Sequence, residues 1–398
     1  MQLKLFSQLF SDSVHGGALK IFALLARLAF LIVIIPSLAS GELASYVFIN
    51  SMSVIVAILA IMGLNEDLPR VVAGDIEKTR PFLFWFPAIQ CLLALSIGIF
   101  LLSRSMIGAC VILSIALFSG RYVVGLVRSI DARIAERQSN IPWIIFLTVT
   151  LALGLDTSLD LILTMAIALT VVQWYAYFYM RQRLTPETIT NRISLKGLIH
   201  HGLQHGLSRM LSTICLIGAV RGFVLWPVWL DLPYDIDQIA FAITASAIVT
   251  EFGQIPVFRS YARWCRTKDF STSQVRQALQ NGIAIFVVLM TLSTTGVYLI
   301  KYLGFMPPQF HSTAILLQAI AAAALLPTFH LLRYLSLSKN IMLSWLTIMA
   351  LTLFLAAGLT TIIFPIEYWF AVAWTLLATA CAITAIKLFN MAANHSAE

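Results

Sequence analysis

The sequence predicts an all-α polytopic membrane protein with about twelve transmembrane helices. Three observations carry that reading. The 398 residues are 60% hydrophobic and 11% charged, with a mean hydropathy of +0.89, whereas a soluble domain is about half apolar and a quarter charged. The apolar residues gather into stretches near the roughly 20 residues that a helix needs to cross a bilayer. The 26 Lys and Arg fall on alternate loops. With the N-terminus inside, 20 of them, from Lys4 and Lys20 to Lys387, lie on inside loops or at the ends, and only Arg104 and Lys301 lie outside. Such a bias orients both termini to the cytoplasm.

The apolar runs place helices at roughly 18–40, 44–64, 81–103, 105–127, 141–155, 158–180, 197–229, 237–258, 280–303, 312–336, 340–364 and 366–390. The first follows a polar stretch and lacks a small-residue cleavage site, so it reads as a retained helix rather than a signal peptide. The fifth is short. The seventh, about 50 Å long at 1.5 Å per residue, starts at or below the cytoplasmic interface. The eighth carries Thr250, Glu251 and Gln254 before Pro256, which marks a bend. The tenth carries Pro327, His330 and Arg333, with Arg333 at the inner edge. Trp143, Trp174, Trp226, Trp229, Tyr234, Trp264 and Tyr302 sit near span ends, as an interfacial aromatic belt requires.

The loops exclude several functions. The largest outside loops, Asp231–Asp237 and Gly304–His311, cannot house a catalytic domain. The basic residues are dispersed over inside loops rather than clustered with aromatics on one surface, so they report topology and contact with anionic membrane lipid, not nucleic acid. Cys91, Cys110, Cys215, Cys265 and Cys381 show no CxxC spacing, so neither a metal site nor a disulfide framework is expected. No cofactor is implied. The longest inside loop, Arg181–Lys196, contains Thr185-Pro-Glu187 and is the seam between two halves, 1–190 and 191–398. A weak repeat supports it: aligning Phe48 with Phe241 brings Ser53 onto Ser246, Ile55 onto Ile248 and Arg70 onto Arg263.

Four arginines, Arg27, Arg121, Arg209 and Arg221, remain inside apolar spans. Each costs about 2.5–3.5 kcal/mol on insertion scales, so four are hard to retain for packing alone. Arg27 lies two turns past Lys20, Arg121 two turns before Arg128, and Glu251 eight residues before Arg259. All three therefore share a layer roughly 10–12 Å deep. Snorkelling, or a pair that only fixes packing, is the bland alternative. The seventh span has a polar stripe, His201, His205, Arg209 and Thr213, flanked by Gln204, Ser208 and Ser212. It reads as cavity lining or as an amphipathic surface segment; two histidines with no third ligand do not make a metal site. Arg221, beside Trp226 and Trp229, reads as a snorkelling residue at the outer end. Four arginines against the single deep carboxylate Glu251 suit an anionic ligand, and the guanidinium fork suits phosphate.

Four stretches carry a family resemblance: Gly17-Ala-Leu-Lys through Leu-Leu-Ala-Arg27, Gly41-Glu-Leu-Ala-Ser-Tyr46, Gly63-Leu-Asn through Leu-Pro-Arg70, and Val127-Arg-Ser-Ile-Asp-Ala-Arg133. The chain resembles the multidrug/oligosaccharidyl-lipid/polysaccharide (MOP) exporter superfamily, nearest the polysaccharide-biosynthesis or O-antigen flippases of the Wzx type. The resemblance implies two six-helix lobes around a central cationic cavity in a bacterial inner membrane. It implies flipping of an undecaprenyl-diphosphate-linked oligosaccharide, alongside a polymerase and chain-length regulator of the same pathway, and no catalysis. On this reading Arg27 and Arg209 hold the diphosphate, Arg121 and His205 assist, and Glu251 gates or couples an ion. The competing readings are a MATE-like drug/cation antiporter and a membrane-embedded polymerase, ligase or glycosyltransferase.

Overall fold

Helices are the regular secondary structure found among the described residues. The computed structural model describes residues 19–20, 22–62, 64–72, 75–128, 130–184, 196–197, 200, 206–230, 236–266, 270–304, 306, 312–339 and 341–395. Twelve long helices follow in order: α1 Phe22–Ser37, α2 Glu42–Ile61, α3 Phe86–Ser103, α4 Met106–Val127, α5 Ala132–Leu153, α6 Ser158–Arg183, α7 Leu207–Trp229, α8 Ile236–Arg266, α9 Thr272–Tyr302, α10 Thr313–Lys339, α11 Leu343–Ile363 and α12 Trp369–His395. A short amphipathic helix, Leu64–Val72, follows α2. Among the described residues nine helices are long and apolar enough to cross a membrane, ten if the bent α7 counts as one span. The other two are α1, apolar but short, and α5.

The fifth span corrects the sequence reading. Residues 141–155 are only the apolar part of α5, which begins at Ala132 and runs for 22 residues. Asp131 caps it by accepting from the Arg133 backbone N–H at 3.0 Å. Its polar first turns hide the helix from a hydropathy window, although Glu136 pairs with Lys20 at 3.2 Å and so ties α5 to the start of the chain's first helix. That first helix is irregular. It passes from α-helical geometry into a π-helical turn over Phe30–Ile34, then a 3-10 turn over Ile35–Ser37 that contains Pro36.

The packing repeats with a period of six helices. α2 packs on α4, α3 on α4, α4 on α6 and α5 on α6; α8 packs on α10, α9 on α10, α10 on α12 and α11 on α12. α1 meets α5 through Phe30 against Trp143 and Phe146, and α7 meets α11 over its length. Small residues permit these approaches. A Cβ on Gly253 of α8 would lie 2.1 Å from Cγ of Pro327 on α10. Side chains such as Ile283, Val287 and Leu292 on α9, and Ile348, Leu355 and Ile362 on α11, remain exposed. That is the outward face of helices solvated by acyl chains rather than water.

α2 and α7 also pack against each other, and α8 packs on α1, α2 and α5. The two halves of the chain therefore meet chiefly along α1, α2, α7 and α8, and Arg27, Arg221 and Glu251 converge there.

Candidate functional site

The site is assembled from five helices. α1 supplies Arg27 and Phe30, α2 supplies Tyr46 and Asn50, α5 supplies Trp143, α7 supplies Arg221, and α8 supplies Thr244 and Glu251. Together they line a cavity of about 90 Å³.

Arg27 is held on three sides. Its guanidinium lies 3.7 Å from a Glu251 carboxylate oxygen, donates to the Ser139 backbone carbonyl at 3.3 Å, and sits 5.0 Å from the centre of the Trp143 ring. Its Nε–H has no hydrogen-bond partner. Arg27 is 6% exposed, whereas the Glu251 side chain is 41% exposed, so the carboxylate faces the cavity and the arginine is packed into its wall. A separation of 3.7 Å is an ion pair but too long for a strong charge-assisted hydrogen bond.

Arg221 is the residue that sequence reasoning placed wrongly. It lines the cavity wall and interacts electrostatically with Arg121, Tyr46 and Glu251. Its place in the cavity lining is at odds with snorkelling to the outer interface. Among the described residues no hydrogen-bond or ion-pair partner meets its side chain there. The sequence signal was available: a fourth arginine in an apolar span, set between Gly218 and Gly222. Tyr46 and Trp143 were also missed. Trp143 reads in the sequence as an interfacial-belt residue and Tyr46 as the end of the Gly41–Tyr46 stretch, yet both pack on Phe30 and line the cavity.

The remaining predicted residues sort differently. Arg121 shares the electrostatic field of Arg221 but is not among the residues lining the cavity; it stands one helix back, on α4. Arg209 lies on α7, with its side chain outside the described set, and His201 and His205 lie outside the described residues. The α7 stripe is redirected at Thr213 and Ser212, whose hydroxyls accept from the guanidinium of Arg333 on α10. Arg333 is thus no inner-edge anchor: it is 1% exposed, and a buried guanidinium needs those acceptors. No cluster of three metal-ligating side chains occurs among the described residues.

A second, apolar space adjoins the first. A groove of about 560 Å³ runs between α1, α8, α9 and α10, with walls that include Leu24, Leu28, Phe252, Leu292 and Ile320. Ile248 of α8 belongs to both spaces. On α1 the groove side carries Leu24, Leu28 and Leu31 and the cavity side carries Arg27 and Phe30, the separation expected of neighbouring stripes on one helix. The Arg27–Glu251 pair bridges α1 and α8 beside this shared wall.

No protein-family model matches the chain, and no curated protein matches it in sequence. Solved structures do match it in shape. A MATE in complex with MaL6 aligns over 95% of this chain and 93% of its own, at 14% identity and a TM-score of 0.57. A MATE in complex with Br-NRF aligns over 94% of each chain at 12% identity and 0.58. The chain has the MATE fold. A MATE in its straight conformation agrees over 95% of this chain and 93% of its own, at 11% identity and 0.54. Identity at this level carries the MATE architecture and leaves the ligand to be argued from the cavity.

Proposed function

We propose that the protein is a transporter that flips an anionic amphiphile across the bilayer, in the form of an undecaprenyl-diphosphate-linked oligosaccharide repeat unit. The observation that carries this reading is Arg221, a cation without a described pairing partner that faces a cavity already containing Arg27. One carboxylate, Glu251, cannot neutralise both, and uncompensated charge at this depth calls for an anionic ligand. A diphosphate would take the free Nε–H of Arg27 and the fork of Arg221; Arg209 and His205 would guide it along α7, and Arg121 would add to the field. Trp143 and Tyr46 would stack on sugar faces. The adjoining groove would hold hydrocarbon, and the shared wall at Ile248 would let one molecule occupy both.

In this proposal residues 1–190 and 191–398 are the two lobes, as their equivalent helix pairings support, and the cation-rich end is cytoplasmic in a bacterial inner membrane. A polymerase and chain-length regulator would act downstream. The protein itself performs no bond chemistry. Glu251 would restrain Arg27 while the cavity is empty and, once displaced, bind a proton or Na⁺.

A MATE-type drug/cation antiporter is the second reading. The fold comparisons support it more directly than they support the lipid reading, and the half-exposed Glu251 favours it as a cation ligand. Reconstitution separates the two. In proteoliposomes, translocation of a fluorescent undecaprenyl-diphosphate sugar without efflux of a lipophilic cation such as ethidium is the expected result. Ion-driven ethidium efflux without lipid translocation would install the antiporter instead.

A further inference from the structure

We propose that Asp237 is the latch that closes the cavity at the cation-poor end. Asp237, in the first turn of α8, reaches across the chain's two halves to the start of α2: its carboxylate accepts from the Gly41 backbone N–H at 2.8 Å and from the Ala44 N–H at 3.0 Å. Helix starts leave such N–H groups without intrahelical partners and are usually capped locally. α2 is not. Its N-cap is Gly41, in left-handed geometry with φ +83°, and no side chain of the flanking segment caps it. The acid in its own first turn, Glu42, is turned away and instead accepts from the Ser158 N–H that opens α6, at 2.6 Å.

The cap of α2 is thus supplied from the other half of the chain. The halves also meet through apolar contacts, as where Val54 and Ile58 of α2 pack against Met210 of α7, and through the Arg27–Glu251 pair. These two acids come from one helix: Asp237 and Glu251 lie fourteen residues apart on α8, roughly 21 Å at 1.5 Å per residue. The proposal rests on the transport reading, in which the halves must part at each end in turn. At this end that motion must break the bonds to Asp237 and leave two N–H groups for water or the departing ligand. The latch therefore biases the resting state toward closure on this side.

The test reads access rather than transport. The five native cysteines are replaced, Ala247→Cys places one thiol in the cavity wall, and a membrane-impermeant maleimide is added outside sealed vesicles. Asp237→Ala should raise the labelling rate about five- to ten-fold, the equilibrium shift expected for loss of one helix cap. Asp237→Asn, which keeps one acceptor oxygen, should raise it less and covers the case of an alanine variant that does not fold. Asp160→Ala, which breaks the Arg104–Asp160 pair at the same end but within one half, should change nothing. Labelling at the parental rate in both Asp237 variants, or an equal rise in Asp160→Ala, overturns the latch. Raised labelling in a protein that moves neither lipid nor cation keeps the latch and discards the transport reading.

Discussion

The guanidinium of Arg27 and the carboxylate of Glu251 lie 3.7 Å apart across α1 and α8, the one buried and the other open to the cavity. The asymmetry has a consequence. A ligand oxyanion can approach Arg27 only by contesting a carboxylate that water already solvates, and displacing a solvated partner costs less than displacing a buried one.

Arg27→Ala and Arg221→Ala should each lower lipid translocation about 10- to 100-fold, the range for losing a hydrogen bond to a charged group of about 1.5–3 kcal/mol. Arg27→Lys and Arg221→Lys should recover part of the rate, because lysine keeps the charge and loses the fork. Initial rates in proteoliposomes at matched protein content decide it. Undiminished rates in both alanine variants would reduce the two arginines to packing elements.

Glu251→Gln should fold and slow cycling, since Arg27 loses its counter-ion while the cavity gains positive charge. Binding of a diphosphate analogue should tighten in the same variant. Exchange of the pair, Glu251→Arg with Arg27→Glu, should restore expression beyond either single change. A double-mutant cycle on melting temperature with no coupling would remove the pair as a structural unit.

Gly253→Ala should destabilise the protein by about 1–3 kcal/mol, the usual cost of overpacking, because the added methyl would meet the Pro327 ring. Thermal unfolding in detergent measures this directly. A paired Pro327→Ala should relieve most of the loss.

Gln90, Ser119 and Gln173 form a buried chain linking α3, α4 and α6. The Gln90 amide donates to Ser119 at 2.7 Å and to Gln173 at 3.0 Å, and the Gln173 amide donates to the Ala116 carbonyl at 2.7 Å. Gln90→Leu should cost about 1–3 kcal/mol by stranding its partners. The double variant Gln90→Leu, Gln173→Leu should cost less than the sum of the two single changes, read again by thermal unfolding.

Reporter fusions after residues 185 and 305 check the orientation. A cytoplasmic reporter should be active at 185 and a periplasmic one at 305. A cytoplasmic signal from 305 would break the proposed twelve-crossing plan.

Much of the helix layout was legible because hydropathy alone marks where a helix meets lipid. α2, α4 and α6 begin within two residues of their expected starts. The misses share one cause: a side chain's direction depends on helix geometry that composition does not encode. Arg221, an apparent interface anchor in the sequence, lines the cavity. The polar opening of α5 conceals a full-length helix and with it the contact of Arg27 with Ser139 and Trp143. Arg333 looked peripheral because its acceptors, Ser212 and Thr213, lie about 120 residues away in sequence. Glu251 was legible as a site candidate for a simple reason: a single carboxylate deep in a long apolar span stands out against the rest.

The π-helical turn at Phe30–Ile34 gives α1 a rotary joint. A π turn holds an extra residue over the rise of an α turn. Winding it back to α geometry advances everything before it by one residue, about 100° around the axis. That is the arc that separates Arg27, on the cavity wall, from Leu28, on the groove wall. One quarter-turn of this helix would therefore exchange a cation for an aliphatic side chain at the cavity wall, with Pro36 and the outer end of the helix staying where they are.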